Sequence, residues 1–481
     1  MDRTRIAAAV AVVLTLALSS VGVAAAKPPS PHTNVPCAGQ AALVAAINAA
    51  NSAGGGTLNL APHCHYNLTT PDNGENGLPV ISTKITVNGR DATIDGTNSV
   101  RVFEVDGPGG NLTLRDLTVT GGSAQDFGGG IANISGTVTL DHTQVIGNSA
   151  AAAGGGIASA TFDPSSPAVL TLNDSTVSGN QQTASGDQAL GGGGIANVVG
   201  TVTLNHSQVN GNTAQGFVGG GIASGDYFNF TSTDSVLVVN HSQVNGNVAP
   251  HAGGGGIQNL LGSATVNHSE VNGNTSLNGG GIASGNAGSS TVAHLVVTHS
   301  QVNGNTATGG PGGEGPPIAA GGIANGSDAV IDHSKVDQNI STHGIGAGIV
   351  NHGSMTVKHS EVNGNTAAAS GTFGSGGGIL NSEGPPGTTP AVLTIDHSKV
   401  NDNSAGGYGG GIANGVPLPP GPPPLIGGTV ILKHSEVHHN TAAHGGGIFN
   451  NGGTVTLSHS HVTGNHVDNC EPTNSIAGCK G

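Results

Sequence analysis

The sequence predicts an all-β fold, a parallel β-helix solenoid in which coils of roughly 25 residues stack on one another. A glycine-rich block, such as GGGIAN at 128 to 133, occurs eleven times, and a second block, such as TVTLNHSQVNGN at 201 to 212, also occurs eleven times. Three consecutive glycines in each repeat disfavour a helical repeat. The alternation of apolar residues with threonine in the second block is typical of a strand that buries one face.

The composition supports a regular fold rather than an ordinary globular core or a disordered chain. The 481 residues include 85 glycines, and only 2% are aromatic. The chain is nevertheless 35% hydrophobic and only 8% charged, so its apolar side chains need burial. The formal net charge of −15 disfavours nucleic acids and anionic membranes as partners. We expect no nucleic-acid partner and no cofactor.

Residues 1 to 26 have the pattern of a secretory signal peptide. Arg3 and Arg5 precede an apolar run from Ile6 to Leu18, and small residues follow up to Ala26. No later stretch has the roughly 20 apolar residues needed to span a bilayer. We therefore expect a secreted, extracellular protein, or one associated with the cell surface, with no transmembrane segment in the mature chain.

Four segments are predicted after the signal peptide. Residues 27–78 form an N-terminal cap with a short helix from Ala38 to Ala50, because apolar residues there recur at helical spacing. Residues 79–127 form early coils, residues 128–465 form the eleven regular coils, and residues 466–481 form a C-terminal cap.

The four cysteines fall into two local pairs, one near each end of the mature chain. Cys37 is predicted to pair with Cys64, and Cys470 with Cys479, because a secreted protein enters an oxidising compartment. A metal site is the alternative, and Cys64 lies between two histidines. The absence of a CxxC spacing favours disulfides.

Stacking places equivalent residues of successive coils above one another, about 4.8 Å apart. One row is expected to be an inward aliphatic stack: Ile131, Ile157, Ile195, Ile222, Ile257, Ile282, Ile323, Ile349, Ile379, Ile412 and Ile448. A second row is expected to form a ladder of hydrogen-bonded amides: Asn148, Asn180, Asn212, Asn247, Asn274, Asn305, Asn339, Asn365, Asn403, Asn440 and Asn465.

The paired blocks resemble the GGAI and FxxN repeats of polymorphic outer-membrane and related secreted bacterial proteins, with GGGI here and Val-x-Gly-Asn in place of Phe-x-x-Asn. The resemblance covers roughly Leu78 to Asn465. It implies the right-handed parallel β-helix of the pectate-lyase-like superfamily, a fold shared by polysaccharide lyases and adhesin passenger domains. Because those relatives do different jobs, the fold alone implies no chemistry.

Pectate-lyase-like enzymes use clustered aspartates, Ca²⁺ and a basic residue, but their motifs are missing from this sequence, and no catalytic residue is assigned. One charge-rich patch occurs in the early coils and is interpreted as exposed surface charge: Arg90, Asp91, Asp95, Arg101, Glu104, Asp106, Arg115 and Asp116. An enzyme that built an unfamiliar site on this scaffold stays as the alternative.

Ten coils carry a histidine just before a conserved serine or threonine, and Asp174 fills the eleventh place: His142, His206, His241, His268, His299, His333, His359, His397, His434 and His459. The preferred interpretation is a structural ladder or turn cap. A column spaced by one coil offers a metal only neighbouring pairs of imidazoles unless a carboxylate is added. No metal site is therefore assigned.

The insertion GDYFNFTSTDS at 225 to 235 holds Tyr227, Phe228 and Phe230, which are the candidate ligand-binding residues. Aromatic faces on an elongated scaffold suit stacking against sugar rings or partner side chains. The alternative is that the loop packs these rings onto the coil.

The sequence thus predicts a secreted, non-catalytic, adhesin-like β-helix that binds a surface, a polysaccharide or another cell-envelope partner. A polysaccharide lyase or glycoside hydrolase on the same scaffold is the alternative. Ice or mineral binding ranks low, because outward Thr-x-Thr pairs occur in only three coils. The sequence does not specify the ligand or the oligomeric state.

Overall fold

In the computed structural model, each regular coil contains up to four short strands, and the strands of successive coils pair in parallel. Within the described residues the chain is a right-handed parallel β-helix, which confirms the predicted fold class. The predicted signal peptide lies outside them. The structure describes residues 32–161, 165–186, 190–216, 218–226, 235–251, 253–285, 292–309, 319–369, 374–384, 390–417, 425–473 and 475–480.

The first and second strands of each coil come from the TVTLN and QVN parts of the repeat. The first strands are Thr137–Asp141, Val169–Asn173, Thr201–Asn205, Val236–Asn240, Ser263–Asn267, His294–Thr298, Asp328–Asp332, Ser354–Lys358, Val392–Asp396, Thr429–Lys433 and Thr454–Ser458. The second strands are Gln144–Ile146, Thr176–Ser178, Gln208–Asn210, Gln243–Asn245, Lys335–Asp337, Glu361–Asn363, Lys399–Asn401, Glu436–His438 and His461–Thr463, with single bridges at Glu270 and Gln301.

The third and fourth strands complete each coil on either side of the glycine block. The third strands are Ser123–Ala124, Ser149–Ala150, Gln181–Gln182, Thr213–Ala214, Val248–Ala249, Thr275–Ser276, Thr306–Ala307, Ile340–Ser341, Thr366–Ala367 and Ser404–Ala405. The fourth strands are Phe103–Asp106, Ile131–Ile134, Ile157–Ala160, Ile195–Val198, Ile222–Gly225, Ile257–Leu260, Ile282–Gly285, Ile323–Asn325, Ile349–Asn351, Ile379–Asn381, Ile412–Val416, Ile448–Asn450 and Cys470–Glu471, and Leu425–Ile426 pairs antiparallel to Ile412–Val416.

The N-terminal region starts the stack with longer strands and one helix. The helix, Gln40–Ser52, begins two residues later than predicted, because Gly39 has a φ of 75° and cannot belong to it. Its buried residues, Leu43 and Ile47 among them, pack against the core. The strands of this region are His32–Val35, Gly55–Leu60, His65–Asn67, Lys84–Asp95 and Asn111–Thr120.

Both predicted disulfides are present. Cys37 and Cys64 have a Cα–Cα distance of 5.7 Å and tie the first strand to the start of the coils. Cys470 and Cys479 have a Cα–Cα distance of 6.3 Å and close the last turn of the chain. The cysteines are therefore not free to bind a metal.

The predicted isoleucine row lies inside the solenoid, and every member is 0% exposed. Strand register explains this, because each isoleucine pairs directly with the isoleucine of the next coil, as Ile257 does with Ile282. Alternate residues of the first strands, such as Leu237 and Val239, point into the same core. Stacking thus buries apolar surface that one coil could not bury by itself.

The predicted asparagine ladder is also present, and the glycine blocks explain how it fits. From Asn148 to Asn465, each Nδ2 donates to Oδ1 of the next asparagine at 2.9 to 3.0 Å. The last glycine of each block lies against this row, since a β-carbon on Gly256 would be 2.9 Å from Asn274 Nδ2. The two sequence motifs therefore recur together because they contact each other in every coil.

Candidate functional site

The histidine column occupies the tight turn between the first and second strands. Its ten histidines, and Asp174 in the eleventh place, have φ between 46° and 51°. This left-handed conformation is uncommon for non-glycine residues and is enriched in Asn, Asp and His. Asp116, with a φ of 50°, fills the equivalent turn of an early coil. The left-handed turn explains why only a few residue types occur at this position. It does not explain why ten coils have histidine there.

Nine of these side chains form a continuous stack, here called the histidine ladder, which runs from His206 to His459. Adjacent ring centroids are 4.6 to 5.6 Å apart, and the ring planes differ by 2° to 23°. All nine residues are exposed. The predicted ladder is thus a surface feature that presents one imidazole edge per coil to solvent.

Two coils of the histidine ladder have an aspartate directly before the histidine, and each of these carboxylates reaches two rings. A third aspartate, Asp141, precedes His142 outside the ladder and pairs with Arg115. Asp332 Oδ1 lies 2.7 Å from His333 Nδ1 and 3.4 Å from His359 Nδ1. Asp396 Oδ1 lies 2.8 Å from His397 Nδ1 and 3.9 Å from His434 Nδ1.

In each of these groups, one possible ligand atom from each of the three residues lies within 4.8 Å of the other two. Sequence reasoning left this added carboxylate out. The hexapeptide IDHSKV, which occurs at both 331–336 and 395–400, is the signal that could have found it.

The two groups differ in their cationic neighbour. Lys358 Nζ lies 3.2 Å from Oδ2 of Asp332, so it occupies the oxygen that faces away from the histidines. Partial burial raises the pKa of the Asp332 carboxyl, but hydrogen bonds from Lys358, His333 and His359 outweigh this, and the pKa lies below its usual value of 3.8. The carboxyl is therefore ionised at neutral pH.

Other coils offer the same geometry with a neutral residue. Asn267 Oδ1 lies 2.9 Å from His268 Nδ1, and it also accepts a hydrogen bond from the Thr298 hydroxyl at 2.9 Å. Asn205 and Asn240 hold the equivalent place in their coils. An amide oxygen there can orient the ring but carries no negative charge.

Behind the exposed ladder, the residue that follows each histidine forms a buried row. From Thr143 to Ser435, each backbone N–H donates to the serine hydroxyl of the next coil at 3.0 to 3.1 Å. This row satisfies the polar groups of the turn and fixes the backbone that carries the imidazoles. Sequence reasoning noted the conserved serine but gave it no role.

Two arginines of the charge-rich patch in the early coils form ion pairs with carboxylates. Arg101 is 5% exposed and contacts Asn76 and Glu104 at 2.8 Å, and it also pairs with Asp126. Arg115 pairs with Asp141, at 3.2 Å. Arg101 is therefore a buried structural group rather than part of the exposed charge that the sequence predicts, because its neighbours supply acceptors in three coils.

The candidate aromatic residues Tyr227, Phe228 and Phe230 lie outside the described residues, so their role stays a prediction. The strands on either side, Ile222–Gly225 and Val236–Asn240, keep the regular register of the stack. The coils on either side of the insertion, and the histidine ladder that they carry, are therefore regular.

Comparisons of the chain with protein-family models, with curated proteins and with solved structures found no match. The resemblance of the repeat motifs therefore establishes no family membership. In the part of the chain that the structure describes, no helix has the length and hydropathy needed to cross a bilayer.

Proposed function

We propose that this protein is a secreted, non-catalytic β-solenoid that binds a neutral polysaccharide of a cell envelope along one long face. The face consists of the outward side chains of the first and second strands and is called the ladder face, because the histidine ladder runs along its middle. The observation that carries the proposal is that this face repeats its hydrogen-bonding groups once per coil.

The ladder face carries hydroxyls and amides in rows. The middle outward position of the first strands is threonine in Thr139, Thr171, Thr203, Thr265, Thr356, Thr394 and Thr456. The outer row of the second strands is asparagine in Asn210, Asn245, Asn272 and Asn303. Hydroxyls and amides both donate and accept hydrogen bonds, which suits the hydroxyl groups of a sugar polymer.

The charge of this face favours an uncharged polymer. No Lys or Arg occurs between Arg115 and Lys335, so half of the ladder face lacks the cations that a polyanion would need. The exposed large apolar side chains of the described chain are scattered over four positions: Val292, Ile340, Ile426 and Val467. Such scattered residues do not favour an apolar protein interface.

Repetition itself supports a polymeric ligand. Equivalent side chains of neighbouring coils lie about 4.8 Å apart, so a chain with a repeating chemical unit meets the same group many times. Many weak contacts on one rigid scaffold add up to useful avidity. The signal-peptide pattern of residues 1 to 26 and the two disulfides support an extracellular location.

The test is cosedimentation of the purified protein with insoluble neutral glycans, polyuronates and peptidoglycan in the presence of Ca²⁺, followed by mass spectrometry of the supernatant. We expect retention on a neutral glycan without released oligosaccharides. Retention only on polyuronates would contradict the neutral-ligand proposal. Released oligosaccharides would favour the lyase or hydrolase alternative and direct mutagenesis to the early coils.

Matched variants locate the binding face. T171K/T203K places two cations on neighbouring coils of the ladder face, where the two threonines pair in register. T275K/T306K makes the same change in the third strands, where those threonines also pair. We expect the first variant to lose most of its retention and the second to keep it. Equal retention of both variants would exclude the ladder face as the binding surface.

A further inference from the structure

We propose that the histidine ladder contains two binding sites for a divalent transition metal of the Zn²⁺ class. The first site consists of Asp332, His333 and His359, and the second of Asp396, His397 and His434. In the part of the chain that the structure describes, these are the two places where three potential ligand atoms converge. The inference does not depend on the proposed polysaccharide ligand.

The interatomic distances suit a tetrahedral ion. Ligand atoms that lie 2.0 to 2.2 Å from zinc are separated by roughly 3.3 to 3.6 Å in a tetrahedron. The distances from Asp332 Oδ1 to the two ring nitrogens are 2.7 and 3.4 Å, and those from Asp396 Oδ1 are 2.8 and 3.9 Å. The longer distance of the first set falls within this range and the second set spans it, so rotations of the exposed side chains can bring the ligand atoms to the required separation.

The ligand chemistry selects the class of ion. Two imidazoles and one carboxylate suit Zn²⁺, Cu²⁺ and Ni²⁺, whereas Mg²⁺ and Ca²⁺ prefer oxygen ligands alone. Three protein ligands on an exposed surface leave the fourth position to water. A ladder of imidazoles without a carboxylate offers only two neighbouring nitrogens to each ion.

The backbone holds the ligands in place before any ion binds. Each histidine lies in the left-handed turn, and the serine after it is tied to the next coil by a backbone-to-hydroxyl hydrogen bond, as Ser334 is to Ser360 at 3.0 Å. Asp332 and Asp396 end first strands whose register with the next coil is regular. A metal therefore binds with little loss of conformational entropy in the backbone.

The two sites use separate steps of the histidine ladder. His333 and His359 are 4.7 Å apart, and His397 and His434 are 4.6 Å apart, measured between ring centroids. The boundary between the two groups, His359 to His397, is the widest step of the ladder at 5.6 Å. The sites do not share a ligand, and two coil steps separate them by roughly 10 Å.

The sites are expected to differ in affinity. Lys358 Nζ lies 3.2 Å from Asp332 Oδ2, and its positive charge opposes a cation at the first site. At the second site, Lys433 pairs with Asp396 in strand register, but no Lys or Arg nitrogen within the described chain comes within 4.0 Å of that carboxylate. We therefore expect the second site to bind more tightly than the first.

The test is titration of the purified protein, produced without a histidine tag, with Zn²⁺ by isothermal calorimetry and equilibrium dialysis. The parent protein is expected to bind two ions. Asp396→Asn and Asp332→Asn keep the shape of the side chain but remove the charged ligand, so each variant should lose one ion, with binding at that site weakened at least about 100-fold. Asp328→Asn removes a carboxylate that faces the single ring of His294 and should still bind two ions.

A variant that gains a site provides an independent test, because damage to the fold could also explain a loss of bound ions in D332N and D396N. Asn267 already holds the position of the missing carboxylate beside His268. Asn267→Asp should therefore raise the stoichiometry from two to three. Unchanged binding in D332N and D396N, or a stoichiometry of two in N267D with an unchanged circular dichroism spectrum, would overturn the proposal.

Discussion

The asparagine ladder and the histidine ladder run through the same coils with one residue per coil, but they lie on opposite sides of the backbone. Asn274 is 0% exposed, and its amide takes part in four hydrogen bonds, two through Oδ1 and two through Nδ2. His268, six residues earlier, is exposed, and its ring contacts the side chain of Asn267 and the two neighbouring rings.

This difference separates architecture from function in a repeat protein. A buried amide must satisfy every donor and acceptor, because an unpaired polar group away from water is costly. An exposed imidazole has no such obligation, since water can replace its partners. A residue that recurs at an exposed position without structural need is therefore the better candidate for a functional role.

The largest expected effect comes from replacing one residue of the asparagine ladder, and it is compared with a replacement in the histidine ladder. Asn274→Ala removes four hydrogen bonds and leaves the carbonyl of Val244 and the backbone N–H of Asn247 unpaired, so we expect a loss of about 3 kcal/mol in the free energy of unfolding. His268→Asn keeps a residue that tolerates the left-handed turn and should cost less than about 0.5 kcal/mol. Urea denaturation measures both variants, and equal losses would refute the distinction.

The sequence predicts the buried ladder well because burial and stacking constrain residue type. A β-carbon on the glycine before each isoleucine would lie too close to the amide of the ladder asparagine, so the Gly-Ile block and the Val-x-Gly-Asn block recur together. The isoleucine row and the disulfides follow from similar constraints of space and pairing. These features can be predicted because few other residue types meet the same constraints of space and pairing.

The metal-binding geometry is harder to predict because it depends on side-chain direction across coils of unequal length. His333 and His359 are separated by 26 residues, whereas His359 and His397 are separated by 38. Only the structure establishes that Asp332 turns toward both neighbouring rings. The left-handed turn and the serine row are also conformational facts, and the repeat spacing does not reveal them.

A second prediction sharpens the comparison by using a histidine outside the ladder. His352 Nδ1 lies 3.0 Å from the carbonyl oxygen of Ser382, and among the described residues its shielded Nε2 has no hydrogen-bond partner. Burial lowers the pKa of this imidazole below its usual 6.5, although the Ser382 carbonyl acts in the opposite direction. At pH values between the two pKa values, the imidazole is therefore protonated in the unfolded chain and neutral in the folded chain.

The stability contributed by neutral His352 is present above pH 6.5 and is lost as the pH falls toward the lower folded-state pKa. We expect His352→Gln to reduce the fall in the free energy of unfolding between pH 7.5 and pH 5.5 by up to about 1.4 kcal/mol, because only one pH unit of this range lies below the usual pKa of 6.5. His294→Gln, which removes an imidazole at an exposed position, serves as the matched control. A parent-like slope in H352Q would contradict the assignment.

The smallest expected effect concerns a row of intermediate burial, the outer asparagines of the second strands, in which Asp337 replaces an amide. Its backbone N–H donates to Asn303 Oδ1, and its own Oδ1 accepts from the N–H of Asn363, both at 3.0 Å. Burial, together with the charge of Glu361, raises the pKa of Asp337 above 3.8, although the Asn363 N–H and Lys335 act in the opposite direction. The ionised carboxyl of Asp337 therefore destabilises the folded protein at neutral pH.

Asp337→Asn keeps the accepting oxygen, removes the charge and restores the row, so it should stabilise the protein by up to about 1 kcal/mol at pH 7. The gain should fall as the pH drops through the raised folded-state pKa and end below pH 3.8, where the carboxyl is protonated in both the folded and the unfolded chain. Asp328→Asn, in the same coil but at a side chain that is 52% exposed, should give no comparable gain. If D337N and the parent are equally stable at pH 7, the partly buried row constrains its side chains no more than the exposed histidine ladder does.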